Sequence, residues 1–260
     1  MKAEATKGAR GICPSCNSEL VAKCGEVKVN HWAHKGNRNC DPWWENETDW
    51  HRSWKGCFPI DWQEVIHFSE SGEKHIADVK TKNGWVLEFQ HSFLNPEERR
   101  SRNAFYPKLV WVVNGLRRKT DVSQFEKAIQ ESTIICENPL VRRILFPDEC
   151  RLLKEWHDSN VLVFFDFQKI ESLKQSILWF LFPGDSTDEV YVSPFLRDKF
   201  IKFHDNNEFD DFVANVIVPI RNILAGRSRF KGPSRIYNRP KSLSGFERHM
   251  AKKRRIRRRF

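Results

Sequence analysis

The chain has 260 residues, enough for one or two compact domains with appendages. An apolar share of 40%, with 20 Phe and 10 Trp, supports a sizeable core, while the longest apolar runs (161–167 and 177–182) are strand-sized and too short for a membrane helix. The net charge of +10 comes from one end: residues 226–260 hold 14 of the 44 Lys/Arg and one of the 34 acidic residues, leaving 30 basic against 33 acidic before them.

The opening MKAEATKGAR has no apolar run of the kind a secretory signal needs. Seven cysteines, an odd number that includes a Cys13-x2-Cys16 pair, suit a reducing compartment and a metal rather than a disulfide framework. The expected location is the cytoplasm. Residues 1–42 read as a zinc-ribbon-like element. Cys13, Cys16, His31, His34 and Cys40 offer five donors for the four places of tetrahedral Zn2+, so four of these five are the expected ligands, with His31 or His34 the spare. Nothing in the spacing points to an open coordination position. The expected zinc is structural and holds a unit too small to fold on its own core.

Residues 43–57, WWENETDWHRSWKGC, read as a helix with Trp43, Trp50 and Trp54 on its core-facing stripe. Taking Trp43 as reference, Glu47 falls roughly 40° and His51 roughly 80° round the helix, at the border of that stripe, and Glu45 roughly 200° round, toward solvent. Lys55 follows His51 by one turn.

Three strand-like runs come next, near 63–69, 74–81 and 85–91, and the last two form a hairpin, HIADVKTKNGWVLEFQHS. Glu88 and Gln90 share a face. A two-residue loop, Asn83-Gly84, pairs Asp78 with Phe89; a three-residue loop, 82–84 with Gly84 left-handed, pairs Asp78 with Glu88. The second register sets two carboxylates about 5 Å apart, which calls for a cation between them. Asn95-Pro96-Glu97-Glu98 opens a helix to Phe105, with Arg99, Arg100 and Arg102 read as a solvated face, and 108–113 is an apolar strand closed by Asn114-Gly115. His75 and His91 lie an odd number of residues from the proposed ligands and read as pointing to the other face. Beyond residue 116, helices near 121–131 and 208–224 flank strands near 160–167, 176–182 and 189–193. Residues 227–260, ending KKRRIRRRF, read as a mobile basic arm that adds affinity for a polyanion without sequence choice.

Asp78 followed by Glu88-x-Gln90 within an α-β-β-β-α-β order resembles the PD-(D/E)XK nuclease core, in which acids on the second and third strands hold Mg2+. Where that motif carries Lys, this sequence has Gln90, which can hydrogen-bond a water or a phosphate oxygen but supplies no positive charge. The segments CPSCNSEL, HWAHK, ENETDWHRSWKGCF, HIADV and LEFQHS, in this order over about residues 11–115, resemble the competence protein CoiA-like family. That resemblance implies an N-terminal zinc element, a nuclease-type fold with an E-x-Q motif, and DNA processing linked to DNA uptake. The expected fold class is α/β (α+β): a zinc-ribbon-like element (1–42), a PD-(D/E)XK-like αβββαβ core (43–116), a C-terminal α/β extension (117–226) and the basic tail (227–260).

The expected activity is Mg2+- or Mn2+-dependent hydrolysis of DNA phosphodiesters. Asp78 and Glu88, helped by Glu47, would bind the ion; Gln90 would orient water or phosphate; His51 would accept a proton or contact phosphate; Lys55 would offset negative charge. DNA is the expected partner, held mainly through its backbone, and no membrane contact is expected. Two other readings are a non-catalytic nucleic-acid-binding protein on a nuclease-derived scaffold and a protein-assembly module.

Overall fold

The protein was analysed as a computed structural model that describes residues 5–13, 16–26, 30–36, 47–69, 74–167, 176–184 and 188–229, with backbone alone at 227–229. Cys40, Trp43, Glu45 and the tail from residue 230 lie outside the described residues. The chain divides into two units, residues 1–217 and 218–260, and the described part of the second is the helix α7 (Val218–Arg229).

The first unit opens with a three-stranded antiparallel sheet, β1 (Arg10–Ile12), β2 (Glu19–Lys23) and β3 (His31–His34), in the order β1-β2-β3. The elements that follow are α1 (Asp49–Lys55), β4 (Gln63–Phe68), β5 (Lys74–Lys80), β6 (Val86–Gln90), α2 (Pro96–Phe105) and β7 (Leu109–Asn114), the α-β-β-β-α-β order expected from the sequence. The expected helix over 43–57 begins at Asp49, where Thr48 caps it: the Thr48 hydroxyl accepts from the His51 amide and the His51 ring accepts from the Thr48 amide. Asn95 caps α2 by accepting from the Glu97 amide at 2.9 Å, with Pro96 at the first helical position.

The remainder is α3 (Asp121–Gln130), β8 (Thr133–Glu137), β9 (Leu140–Leu145), α4 (Arg151–Trp156), β10 (Leu162–Asp166), β11 (Ile177–Leu181), β12 (Glu189–Leu196), α5 (Arg197–Asp205) and α6 (Phe209–Phe212). Of these, β8, β9, α4 and α5 were not foreseen. All strands from β4 on belong to one nine-stranded mixed sheet, β4-β5-β6-β7-β10-β11-β12-β9-β8, so the segment after residue 116 extends the same sheet. The pairs β6/β7 and β7/β10 are parallel and the others antiparallel. β7 and β10 are buried along their full length, as strands covered on both faces should be.

Cross-strand register sorts the two faces. Glu88 aligns with Trp111, Trp111 with Val163 and Val163 with Leu181, and Trp111, Val163 and Leu181 belong to the core that also takes in Phe125 of α3 and Leu152, Leu153 and Trp156 of α4. Phe89 aligns with Val112, and Phe164 with Val112 and Phe180. On that opposite face the Phe89 ring stacks on Trp54 of α1 at 5.4 Å, and Phe164 meets Phe200 of α5 at 4.9 Å. Thus α1 covers one face of β6, and Glu88 points to the other. Arg99 and Arg102, read from the sequence as a solvated face, are buried: Arg102 lies over Trp111 and Arg99 over Trp156, each held by a carboxylate.

Candidate functional site

Cys13, Cys16 and His34 bring their ligand atoms within 4.8 Å of one another, with Cys16 Sγ 3.2 Å from His34 Nε2. A tight turn makes this possible: Asn17 is left-handed at φ 59°, the Asn17 amide donates to the Cys13 carbonyl, and the Cys13 amide to the Ser18 carbonyl, both at 2.9 Å. Two thiolate sulfurs and an imidazole nitrogen are three of the four donors that tetrahedral Zn2+ takes, so this group fits zinc. His31 and His34 stand three apart on β3, which puts them on opposite strand faces, so His31 is the spare of that pair. The fifth candidate, Cys40, lies outside the described residues.

In the hairpin, the Thr81 amide donates to the Trp85 carbonyl, and Gly84 has φ +80°. Val79 pairs Leu87 and Lys80 pairs Val86, which is the register of the three-residue loop. The same register carried one step further would set Asp78 opposite Glu88. There the ladder gives way, and the Phe89 amide donates to Asp78 Oδ2 at 2.9 Å. On the other side of β5, Glu64 falls between the pairs Gln63/Val79 and Val65/Ala77 and takes a left-handed φ of 49°. Glu64 and Asp78 therefore lie side by side across β4 and β5, and Glu88 lies just past the last β5/β6 pair. Glu64 was missed because only the β4/β5 register reveals its place.

Glu47, Glu64 and Glu88 are each ion-paired. Lys55, itself buried, pairs with Glu47 and, at 3.1 Å, with Glu64. Arg52 Nε also reaches Glu47, at 3.2 Å. Burial pulls the Lys55 ammonium down, but the carboxylates of Asp78, Glu64 and Glu47 outweigh it and hold the group above the ordinary lysine range. Burial pushes the Asp78 carboxyl above its ordinary value, against the opposing pull of Lys55, His51, the Phe89 amide and Arg102. On the far face, Glu88 is bound by Arg102 Nη1 at 3.1 Å, and Arg102 also binds Glu98. Gln90 is buried beside it and donates to the Ser92 hydroxyl at 3.2 Å.

Of the residues expected from the sequence, Glu47, His51, Lys55 and Asp78 thus gather on the α1 side, where Asp78 responds to both His51 and Lys55. Glu88 and Gln90 turn toward α2, away from that group. Among the described residues, the one group of three or more His, Cys, Asp or Glu with ligand atoms within 4.8 Å is Cys13, Cys16 and His34; the acids Glu47, Asp78 and Glu88 are spread more widely. His91 also faces α1, with its ring centroid 6.1 Å from that of His51 and 6.2 Å from Trp50.

Residues 2–42 match the family model of the competence protein CoiA, N-terminal domain, the segment that contains Cys13, Cys16 and His34. Neither the curated proteins nor the solved structures give a match. Among the described residues no helix is long and apolar enough to cross a membrane.

Proposed function

From a CoiA-type N-terminal segment joined to an α-β-β-β-α-β order, we propose a competence-related role in which the protein hydrolyses DNA phosphodiesters with Mg2+ or Mn2+. What supports this reading is that Asp78 of β5 and Glu88 of β6 both lie just past the last β5/β6 pair, Val79 with Leu87, where the Phe89 amide turns to Asp78 Oδ2. Oxygen donors suit a hard divalent ion. Asp78 and Glu88, with Glu47 from the α1 side, are the residues that would hold it. Once bound, such an ion polarises a phosphoryl oxygen and lowers the pKa of its water. Gln90 would orient that water or the phosphate through its amide. Lys55 already lies among Glu47, Glu64 and Asp78, and would balance charge at the phosphate. Cys13, Cys16 and His34, with Cys40 as the proposed fourth ligand, would hold a structural zinc. The basic residues of 227–260 would hold the DNA backbone electrostatically, in the cytoplasm.

The test is incubation with linear and circular, single- and double-stranded DNA plus Mg2+ or Mn2+. Cleavage should need the ion and fall by at least about a hundredfold in Asp78→Ala and in Glu88→Ala, the scale of losing charge stabilisation at the reacting group. Activity that survives either change removes this reading. A second reading, a non-catalytic DNA-binding protein, draws on the same acids: Glu88 is held by Arg102 and Glu47 by Lys55, and Glu88 and Gln90 face away from α1. It expects salt-sensitive DNA binding and no cleavage with either ion.

A further inference from the structure

The main chain of Lys55, the last residue of α1, is pinned: the Gln63 side-chain NH2 donates to the Lys55 and Phe58 carbonyls, each at 2.9 Å. Its side chain reaches the next residue of β4, where the ammonium pairs with Glu64 at 3.1 Å and also with Glu47, and is buried. Glu64 holds a left-handed φ of 49°, a costly conformation for a residue with a side chain and one that gathers at ligand clamps and switches. Burial works against the charge on Lys55, and Asp78 is the strongest of the three carboxylates that keep it.

Two of the three residues that would hold the divalent ion, Glu47 and Asp78, therefore already serve the Lys55 ammonium. An ammonium and a divalent ion drawn to the same carboxylates exclude each other, by repulsion and by competition for the same oxygens. Lys55 can nevertheless leave without stranding its partners. Glu47 keeps Arg52, whose Nε lies 3.2 Å away, and Glu64, with a 46% exposed side chain, is open to water. Asp78, half-buried and bonded to the Phe89 amide, is then left to take up a proton or another cation. The ammonium in turn needs an anion wherever it goes, and a phosphate group supplies one.

We propose that Lys55 holds the ion's place until a DNA phosphate draws the ammonium away, so that DNA and the divalent ion bind cooperatively. The inference rests on the ion and DNA assignments above, but not on cleavage. Coupling of this kind is reciprocal: DNA raises the affinity for the ion by the same factor as the ion raises that for DNA. It also keeps the carboxylates paired while no substrate is bound.

The test reads Mn2+ binding rather than activity. Electron paramagnetic resonance of free Mn2+ is followed with the full chain, purified without chelator, with and without a phosphorothioate oligothymidylate that resists hydrolysis. The oligonucleotide should tighten Mn2+ binding to the wild type about tenfold, within the usual range of coupling between sites, and Asp78→Ala should remove that binding. Lys55→Gln should bind Mn2+ about tenfold more tightly than the wild type without any oligonucleotide and lose most of the coupling; Lys55→Arg, which keeps the charge, should do neither. Wild-type affinity that ignores the oligonucleotide overturns the proposal, and so does coupling of equal size in Lys55→Gln, which would come from the polyanion alone. If Lys55→Gln fails to fold, nitrogen NMR of the wild-type Lys55 ammonium decides: Mg2+ and the oligonucleotide together must shift its signal, and an unmoved signal overturns the proposal. Coupling through Lys55 with no cleavage of ordinary DNA keeps the inference and removes the nuclease reading. Asp78-dependent cleavage with equal Mn2+ affinity in wild type and Lys55→Gln does the reverse.

Discussion

The two sheets of the first unit are stabilised by different means. In the three-stranded sheet no strand residue is buried, and Cys13 is the buried residue beside it. In the nine-stranded sheet β7 and β10 are buried from end to end, with Trp111, Val163 and Phe165 wholly excluded from water. A patch as small as β1–β3 is poorly placed to offset its chain entropy by apolar burial, and a metal held by Cys13, Cys16 and His34 is the expected source of its stability. The large sheet has apolar burial to spare. It can therefore bury charged groups, among them Glu88, Arg102, Asp166 and Arg197, and hold polar side chains at its strand ends.

The largest expected effect breaks the small sheet alone. Cys16→Ser or His34→Ala should abolish zinc retention and unfold residues 5–36, because structural zinc contributes about 10–16 kcal/mol of apparent free energy in small domains. His31→Ala, on the opposite strand face, should keep the metal. Metal analysis with amide exchange over β1–β3 checks this: protection there should vanish while that of β7 and β10 persists. Loss of protection in both sheets at once would mean that the large sheet also depends on the metal.

This contrast also explains what could be read in advance. Short-range signals were legible: the Cys-x2-Cys pair, the Asn95-Pro96 helix start, and a hairpin turn at Asn83-Gly84, although the choice between a two- and a three-residue loop was not. The burial of Arg99 and Arg102 was not, because their partners Asp158 and Glu88 lie on other elements and a basic run looks the same whether solvated or paired. Nor could the helical pattern of 43–57 tell that α1 would lie on the Phe89 and His91 face, away from Glu88. That choice is made by Asp166, more than a hundred residues later, which receives the two indoles.

Asp166 is accordingly where the large sheet should break. It is fully buried, accepts from Trp50, Trp54 and Arg197, and Arg197 in turn stacks 3.8 Å over the Trp54 ring. Asp166→Ala leaves a buried guanidinium without its carboxylate and should cost about 3–5 kcal/mol, roughly 10 °C in Tm for a unit of this size. Adding Arg197→Met should recover much of that loss, since the stranded charge is then gone. Thermal unfolding of the two variants measures it, with zinc content unchanged in both. A double variant no more stable than Asp166→Ala would show that the hydrogen bonds to the indoles, and not the ion pair, carry the anchor.

Smallest within any single pH unit is a dependence on pH that belongs to the large sheet alone. His204 of α5 is enclosed by Phe58, Phe200 and Phe209, with the Phe209 ring stacked at 3.9 Å, and neither ring nitrogen finds a hydrogen-bond partner. Burial lowers its pKa from 6.5 to about 3, against a weaker upward pull from Asp210. The folded state thus refuses a proton that the unfolded chain accepts below 6.5. Stability should be unaffected by this group above that value and fall as pH drops toward 3, by about 1.4 kcal/mol for each pH unit. In His204→Leu, denaturant unfolding between those limits should show a slope shallower by one proton, while the Cys13, Cys16 and His34 group keeps its own acid dependence from ligand protonation. Equal slopes in wild type and variant would mean that the aromatic enclosure opens to water before the ring is protonated.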